Sequence, residues 1–579
     1  MSNSKPKIIV VGGGLAGLMA TIKLAEAGHQ IDLLSVVPCK RSHSVCAQGG
    51  INASVNTKGE GDSPDIHFDE TIMGGDFLAN QPMVRDMCHN APGFIYMLDR
   101  MGVQFNRTNE GLIDFRRFGG TRFHRTAFAG STTGQQMLYA LDEQVRRFEV
   151  DGKVTRYEGW EFLSAVIDDT QTARGLVAIN LSNFEVRAFK GDAAIFATGG
   201  PGMIYGRSTN SMICTGSAAG ALYQQGVWYA NGEFVQIHPT AIAGEDKNRL
   251  ISEAVRGEGG RLWTMKDGKR WYFLEEWYPK YGNLVPRDIA SRAIFKVCRE
   301  MKLGIDGKDI VYLDISHLDR GKLMEKLGGI IDIYEKFMNE DPSKVPMRVF
   351  PAVHYSMGGI YIDQRHMTNV PGILAAGECD YQYHGANRLG ANSLLSCLHG
   401  GIVAAARAGE YVQGLKTYAD AVSSKWFDQQ IKKEEEANDE ILRMRGKENP
   451  YKIWEKMREV MTDGVTVVRF NKKLEETDKK LQELQSRMRD VNISDVSKWV
   501  NQSLIFTRQL LNMLPLARVI TLGALARNES RGAHYKPDFP NRDDANWLKT
   551  TVAKSTPKGP ELFYEQVDTS LIKPRERKY

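Results

Sequence analysis

The first regular pattern in the chain is an unbroken apolar run, Ile8-Ile9-Val10-Val11, made entirely of β-branched residues. An apolar run without alternation fits a strand buried on both faces, as in a parallel sheet. Gly12-Gly13-Gly14 follows, and Leu15 to Ala27 are good helix formers, with Gly28 placed to end the helix. Ile31 to Leu34 begin the next apolar run. The pattern predicts strand, glycine turn, helix and strand over residues 7–34, and the G-x-G-x-x-G spacing of Gly12, Gly14 and Gly17 gives that unit a dinucleotide-binding reading. Ala193 to Ala197 runs into Thr198-Gly199-Gly200, and Gly372 to Ala376 into Gly377-Glu378. Each reads as a strand returning to the same sheet and ending in glycine where backbone meets a ligand. Their separation predicts a discontinuous nucleotide-binding domain interrupted by an insertion.

From about residue 415 the chain becomes charged and helical. Val467, Phe470, Leu474, Thr477, Leu481, Leu484 and Met488 alternate spacings of three and four, an amphipathic stripe expected to pack within an antiparallel bundle. Beyond Pro540 the tail is polar and dotted with proline. No internal repeat or low-complexity segment interrupts this order.

Composition narrows the class. At 579 residues the chain is too long for one core and calls for two to four structural units. A net charge of +5 without a basic stripe gives no case for nucleic acid as a partner. The cysteines at 39, 46, 88, 214, 298, 379 and 397 form no C-x-x-C pair, so no metal or iron–sulfur framework is expected in this chain, and their scatter fits a reducing compartment. No signal peptide, twin-arginine leader or 18-residue apolar span is read, so membrane association is expected only through a partner.

Polar residues gather beside glycine in five segments. These are Gln236-Ile237-His238-Pro239-Thr240, Ser252 to Gly260, Val285-Pro286-Arg287-Asp288, Ala352 to Gly359, and His384 to Ser393. Singly each reads as a turn or a surface ion pair. Together they offer histidines and arginines suited to a small dianion, with bidentate guanidinium contacts to its carboxylates. Upstream, His43 in Arg41-Ser42-His43-Ser44 sits shortly after the dinucleotide-binding opening, where a histidine can tether a flavin.

These motifs resemble the succinate dehydrogenase and fumarate reductase flavoprotein-subunit family, from Ile8 to about Arg542. The resemblance implies a covalent 8α-histidyl bond from His43 to FAD. It implies FAD contacts from Gly12, Gly14, Ala16, Gly17, Ser35, Ser42, Ser44, Gln48, Gly49, Gly50, Ala197, Thr198, Gly199, Glu378 and Arg388. Ser393 and Leu394 would open a helix whose positive end stabilises the anionic reduced flavin. His238, Ser252, His354 and Arg388 would bind the dicarboxylate, with Phe118 and Gly50 against it. Arg287 would exchange the proton at one carbon while the flavin exchanges hydride at the other, and Glu253 and Arg256 would relay protons to Arg287. An iron–sulfur subunit and a membrane anchor carrying haem and quinone would take the electrons, placing the chain peripherally at the cytoplasmic face of the membrane. The implied fold is α/β. It has a Rossmann-like FAD-binding domain in two parts (1–239 and 353–412), an inserted α+β capping domain (240–352), a C-terminal helical bundle (413–530) and an irregular tail (531–579).

Three departures from the family pattern stand out. Ser35 replaces the acid expected near the end of the second strand, Gly216-Ser217-Ala218 stands where Gly-Asp-Gly is frequent, and Val255 stands where many relatives place cysteine. With the tail, they resemble the menaquinone-linked bacterial branch more than the mitochondrial one. Gln48, where some fumarate reductases carry glutamate, leans toward succinate oxidation. L-Aspartate oxidase and the adenylylsulfate reductase flavoprotein share parts of this pattern, but His43 argues against both. A flavin-binding scaffold without activity leaves the histidines and arginines unexplained.

Overall fold

The computed structural model describes residues 6–244 and 247–577. The run Lys7–Val11 lies at the centre of a five-stranded parallel sheet, in the order Ile373–Ala375, Ala193–Phe196, Lys7–Val11, Gln30–Ser35, Val154–Glu158. Both returning strands read from the sequence are therefore neighbours in this sheet. The last strand had no clear sequence signal, because its burial alternates weakly along an edge.

The helix Leu15–Glu26 is buried along nearly its whole length. It packs between the sheet and the helix Asn392–Gln413. Gly12 makes the tight turn before it: its φ is +117°, and a Cβ there would lie 2.2 Å from the Ala197 carbonyl oxygen. Gly17 does the same for close packing, since a Cβ would meet the Gly12 carbonyl oxygen at 1.9 Å. Only glycine lets the helix start press onto the two strand ends.

A six-stranded antiparallel sheet builds the inserted unit, in the order Arg249–Leu250, Val235–Ile242, Met347–Ser356, Val311–Asp314, Arg261–Lys266, Lys269–Trp271. Its own core forms around Leu262, Phe273, Ile294, Leu313, Leu327 and Tyr334. The strands Val235–Ile242 and Met347–Ser356 run through positions 240 and 352. The insertion thus grows out of two long strands, and no linker marks either edge.

The C-terminal region holds the helices Lys425–Arg443, Pro450–Gly464, Asn471–Arg487 and Gln502–Ala526. Leu474, Thr477, Leu481 and Leu484 are buried along the third of these, as the stripe predicts. Val467 and Phe470 precede that helix, which begins at Asn471, and Phe470 is exposed. The helix Gln502–Ala526 has the length and hydropathy of a membrane span. It contains Arg508 and Arg518 and packs against the helices Ser217–Gln224 and Asn471–Arg487. The tail differs most from expectation. Lys549–Thr556 and Gly559–Gln566 form a hairpin that extends the short strand Tyr229–Ala230 into a four-stranded sheet. Residues 531–579 are therefore not wholly irregular: Val552 and Ala553 supply buried positions whose partners lie far upstream.

Candidate active site

Two cavities meet at His43. The first, about 760 Å³, is lined by Gly12, Gly14, Ala16, Ser35, Ser42, Ala197, Thr198 and Gly199. The second, about 610 Å³, is lined by Gln48, Gly49, Gly50, Phe118, His238, Ser252, Glu253, Arg287, His354, Arg388, Ser393 and Leu394. His43, Ser44, Glu378 and Cys397 border both. The strand ends of the parallel sheet thus open a long groove that turns at His43 into a pocket beneath the six-stranded sheet.

The groove has the features of a dinucleotide cradle. Backbone N–H groups of the first turn of the helix Leu15–Glu26 face it, and a helix N-terminus attracts phosphate. Ser42 Oγ donates to the Gly13 carbonyl at 2.8 Å, and Ser44 Oγ accepts from Leu15 N at 3.3 Å, so the His43 segment is tied to the glycine turn. Gly17 lies behind the groove, where it packs on Gly12. Ser35 Oγ is committed to the Val37 carbonyl at 2.6 Å. Ser217 lines the groove and accepts from Asn512 Nδ2. Glu161, to which the sequence pointed in no way, is the acid besides Glu378 in the groove wall among the described residues. Burial pushes its carboxyl up to about 7.

His43 Nδ1 accepts the Ser211 N–H at 3.2 Å, which puts the proton of the neutral ring on Nε2. Burial, and then Lys247, hold the imidazole pKa down to about 3, so the ring is neutral. Arg116 supports the neighbouring segment, with Nε donating to the Gly49 carbonyl at 3.0 Å and Nη2 to the Gln48 carbonyl at 3.1 Å. Gln48 Oε1 is buried without a partner in the protein, an acceptor available to a ligand.

The second pocket concentrates donors. On the strand Val235–Ile242, Gln236 and His238 are two residues apart and share a face. Register shifts on either side of Ile237-His238 bend this strand against Met347–Ser356, which carries His354 and Tyr355. The two imidazoles lie 5.1 Å apart. His354 Nδ1 is hydrogen-bonded to Thr209 Oγ1 at 2.8 Å, and His238 Nδ1 accepts from Thr240 N at 3.2 Å. His238 Nε2 and Arg388 Nε are buried with no partner in the protein. Burial, then Arg287, holds both histidines well below their ordinary range.

Glu253 joins the arginines. Its Oε1 accepts from Arg256 Nη2 at 2.9 Å, and its Oε2 from Arg287 Nε at 2.9 Å and Nη2 at 2.8 Å. Gln236 Oε1 accepts from both Arg287 Nη1 and Arg388 Nη2 at 2.9 Å. Arg256 stands behind Glu253, outside the pocket wall, with Nη1 on the Asn283 carbonyl at 2.6 Å. Burial, followed by Arg287, lowers Arg388 to about 9. Burial also lowers Arg256. Arg256, Arg287 and Arg388 cluster around the carboxylate of Glu253 and leave this cluster positive, the complement of a dianion.

Of the residues expected here, Gly17 and Arg256 alone lie outside the two cavity walls. Gln236 and Tyr355 lay in polar segments but had no assigned role. Thr209, Ser211, Arg116 and Cys397 come from segments without a local signal and reach the site only through the fold.

Six further histidines share with His43 a common consequence. Burial lowers His67 to about 3 and His366 to about 4, and takes His238, His354, His384 and His534 well below the usual value. In the unfolded chain they titrate near 6.5, so below that pH the unfolded state binds protons the native state does not, and stability falls with pH. Burial pushes three acids the other way, Glu161 and Glu378 to about 7 and Asp380 to about 8, so these keep protons in the native state. With His43, held at about 3, seven histidines outnumber the three acids, so unfolding takes up protons near pH 5.5 and stability falls as the pH drops. The melting temperature is expected to drop steeply from pH 6.5 to 5, and a flat profile would contradict these protonation states.

Comparison with known proteins agrees with this geometry. The family profile described as FAD binding domain matches residues 7–394, and that described as fumarate reductase flavoprotein C-term matches 454–579. The chain is 66% identical to the succinate dehydrogenase flavoprotein subunit of Bacillus subtilis, covering 100% of this chain and 99% of that protein. It is 35% identical to the fumarate reductase flavoprotein subunit of Escherichia coli, covering 100% of this chain and 96% of that protein. A solved structure of a mutant E. coli quinol fumarate reductase superposes with a TM-score of 0.93 at 34% identity, covering 100% of this chain and 99% of the other. With the glycine cradle, the donor-rich pocket and the full-length match in agreement, the chain belongs to the FAD-binding flavoprotein subunits of succinate dehydrogenase and fumarate reductase.

Proposed function

We propose that this protein is the catalytic flavoprotein subunit of a succinate:quinone oxidoreductase, an FAD-dependent enzyme that interconverts succinate and fumarate. The observation that carries this reading is the convergence of His238, His354, Arg287 and Arg388 on one pocket whose wall, at His43, is also the wall of the dinucleotide groove. FAD bound in that groove supplies a hydride acceptor or donor. His43 is the attachment residue: its imidazole is neutral, and with Nδ1 accepting the Ser211 N–H, Nε2 is the nitrogen left to bond the flavin, a bond that would release the Nε2 proton.

His238, Ser252, His354 and Arg388 bind the two carboxylates, with Phe118 and Gly50 forming the wall against the substrate. The unpartnered His238 Nε2 and Arg388 Nε are the atoms available for this task. Fumarate reduction adds a hydride to one carbon and a proton to its neighbour; succinate oxidation removes both. Arg287 holds the exchangeable proton. A guanidinium releases a proton reluctantly in water, so the role rests on placement: Arg287 lines the pocket and is held there by Glu253 and Gln236. Glu253 accepts from Arg287 and Arg256 at once and so connects the proton donor to a residue that reaches toward Asn283.

Electrons pass to an iron–sulfur subunit and then to a haem- and quinone-bearing membrane anchor, with the flavoprotein peripheral at the cytoplasmic face. Gln48 and the 66% identity to a protein named succinate dehydrogenase support succinate oxidation as the working direction. Anaerobic titration of the oxidised flavin spectrum with succinate, and separately with L-aspartate, tests the assignment. Bleaching by succinate alone is expected. Bleaching by aspartate would make the protein an amino-acid oxidase, and no response to either would withdraw the substrate class.

A further inference from the structure

We propose that Arg577, from the C-terminal segment, is a positioning residue for the two active-site arginines and acts through Asp288. The inference rests on the roles given above to Arg287 and Arg388. Asp288 follows Arg287 in the first turn of the helix Arg287–Phe295, and its side chain is 1% exposed. Its oxygens accept from Arg577 Nη1 at 2.9 Å and Nη2 at 3.3 Å, from Arg292 Nη2 at 3.2 Å and from Asn387 Nδ2 at 3.2 Å. The Arg577 fork is the most buried cation on this carboxylate, 11% exposed against 28% for Arg292. A buried carboxylate that loses such a partner must find another or draw in water.

Asp288 is tied to both active-site arginines. Asn387, which donates to it, precedes Arg388 and accepts from Gln236 Nε2 at 3.0 Å. Gln236 Oε1 in turn receives Arg287 and Arg388 together. A second route starts at Asp76, 3.8 Å from Arg577 Nη1, whose neighbour Gly75 accepts the Ala386 N–H at 2.8 Å. The tail therefore bears on the Arg287 helix and on the Arg388 loop at once. Its own attachment is separate: Gln81 exchanges two 2.8 Å hydrogen bonds with the Ile572 backbone, and Arg575 pairs with Asp69. Burial alone would raise the Asp288 carboxyl, yet Arg577 and Arg292 hold it below its ordinary range. The ion pair thus survives desolvation.

The test compares the holoenzyme with its R577A, R577K and R575A variants. R577A is expected to lower kcat for fumarate reduction about tenfold while KM moves less than threefold and bound FAD is unchanged. R577K, which keeps the charge but not the fork, should recover part of the rate, and millimolar guanidinium should raise the rate of R577A alone. R575A removes a tail anchor that does not touch Asp288 and should match wild type. Wild-type kcat in R577A would overturn the proposal, as would a loss unmoved by lysine or guanidinium. If R577A does not fold, R577K decides: a two- to fivefold lower kcat at full FAD content is expected, and wild-type turnover overturns the inference. Failure of the wild-type enzyme itself to turn over succinate or fumarate would instead refute the proposed function.

Discussion

Replacing Arg287 by alanine is expected to lower turnover about 10³-fold or more in both directions, within the range for loss of a positioned acid–base group. Equal losses follow from microscopic reversibility, since the proton that fumarate gains is the one succinate gives up. Arg287 is buried and held at three nitrogens, by Glu253 on Nε and Nη2 and by Gln236 on Nη1. That clamp orients the guanidinium without using His238 or His354, and it shares only Gln236 with Arg388. Carboxylate binding therefore survives the substitution, and a dicarboxylate-induced change in the flavin spectrum should persist at concentrations within tenfold of wild type. A fall in kcat with preserved binding marks an interaction made in the transition state. Arg287→Lys keeps a charge but cannot meet Glu253 and Gln236 as a fork, and it should remain severely impaired. Turnover within tenfold of wild type in the alanine variant would remove Arg287 from proton transfer.

The second large effect belongs to His43. Serine at this position should abolish covalent flavin, so that the fluorescent band of the denatured wild-type chain at 64.9 kDa disappears from the variant. FAD should still bind, because the glycine turn, Ser42, Ser44 and Glu378 remain. Succinate oxidation should fall by more than tenfold and fumarate reduction much less, because a covalent link raises the flavin potential and so favours accepting electrons from succinate. A denatured wild-type band without flavin fluorescence would sink the attachment, and equal losses in both directions would sink the account of the potential.

Both predictions draw on residues legible in the sequence, and the reason is local. A parallel strand, its glycine turn and the following helix are contiguous, so Lys7–Val11, Gly12, Gly14, Gly17 and Leu15–Glu26 carry their own signal. The segments around His43, His238, Arg287, His354 and Arg388 are likewise short and polar beside glycine, and the family resemblance gave each an expected role. Through the same resemblance Glu253 and Arg256 were linked to Arg287, and the structure brings all three into contact.

What sequence reading could not reach depends on partners distant along the chain. The inserted unit has no linker because Val235–Ile242 and Met347–Ser356 pair across it, and their shared register, bent on either side of Ile237-His238, decides where His238 and His354 meet. The tail looked irregular because the strand Lys549–Thr556 is completed by Tyr229–Ala230, a two-residue strand with no pattern of its own. The sequence by itself determined the nucleotide-binding unit, the returning strands and the kinds of side chain at the site. Only the tertiary structure decided that one glutamine holds both Arg287 and Arg388, that Ser211 sets the His43 tautomer, and that Arg577 reaches Asp288. Hydrogen bonds and ion pairs between distant segments leave no periodicity in a sequence, and they exist only once burial has excluded water from competing for the same groups.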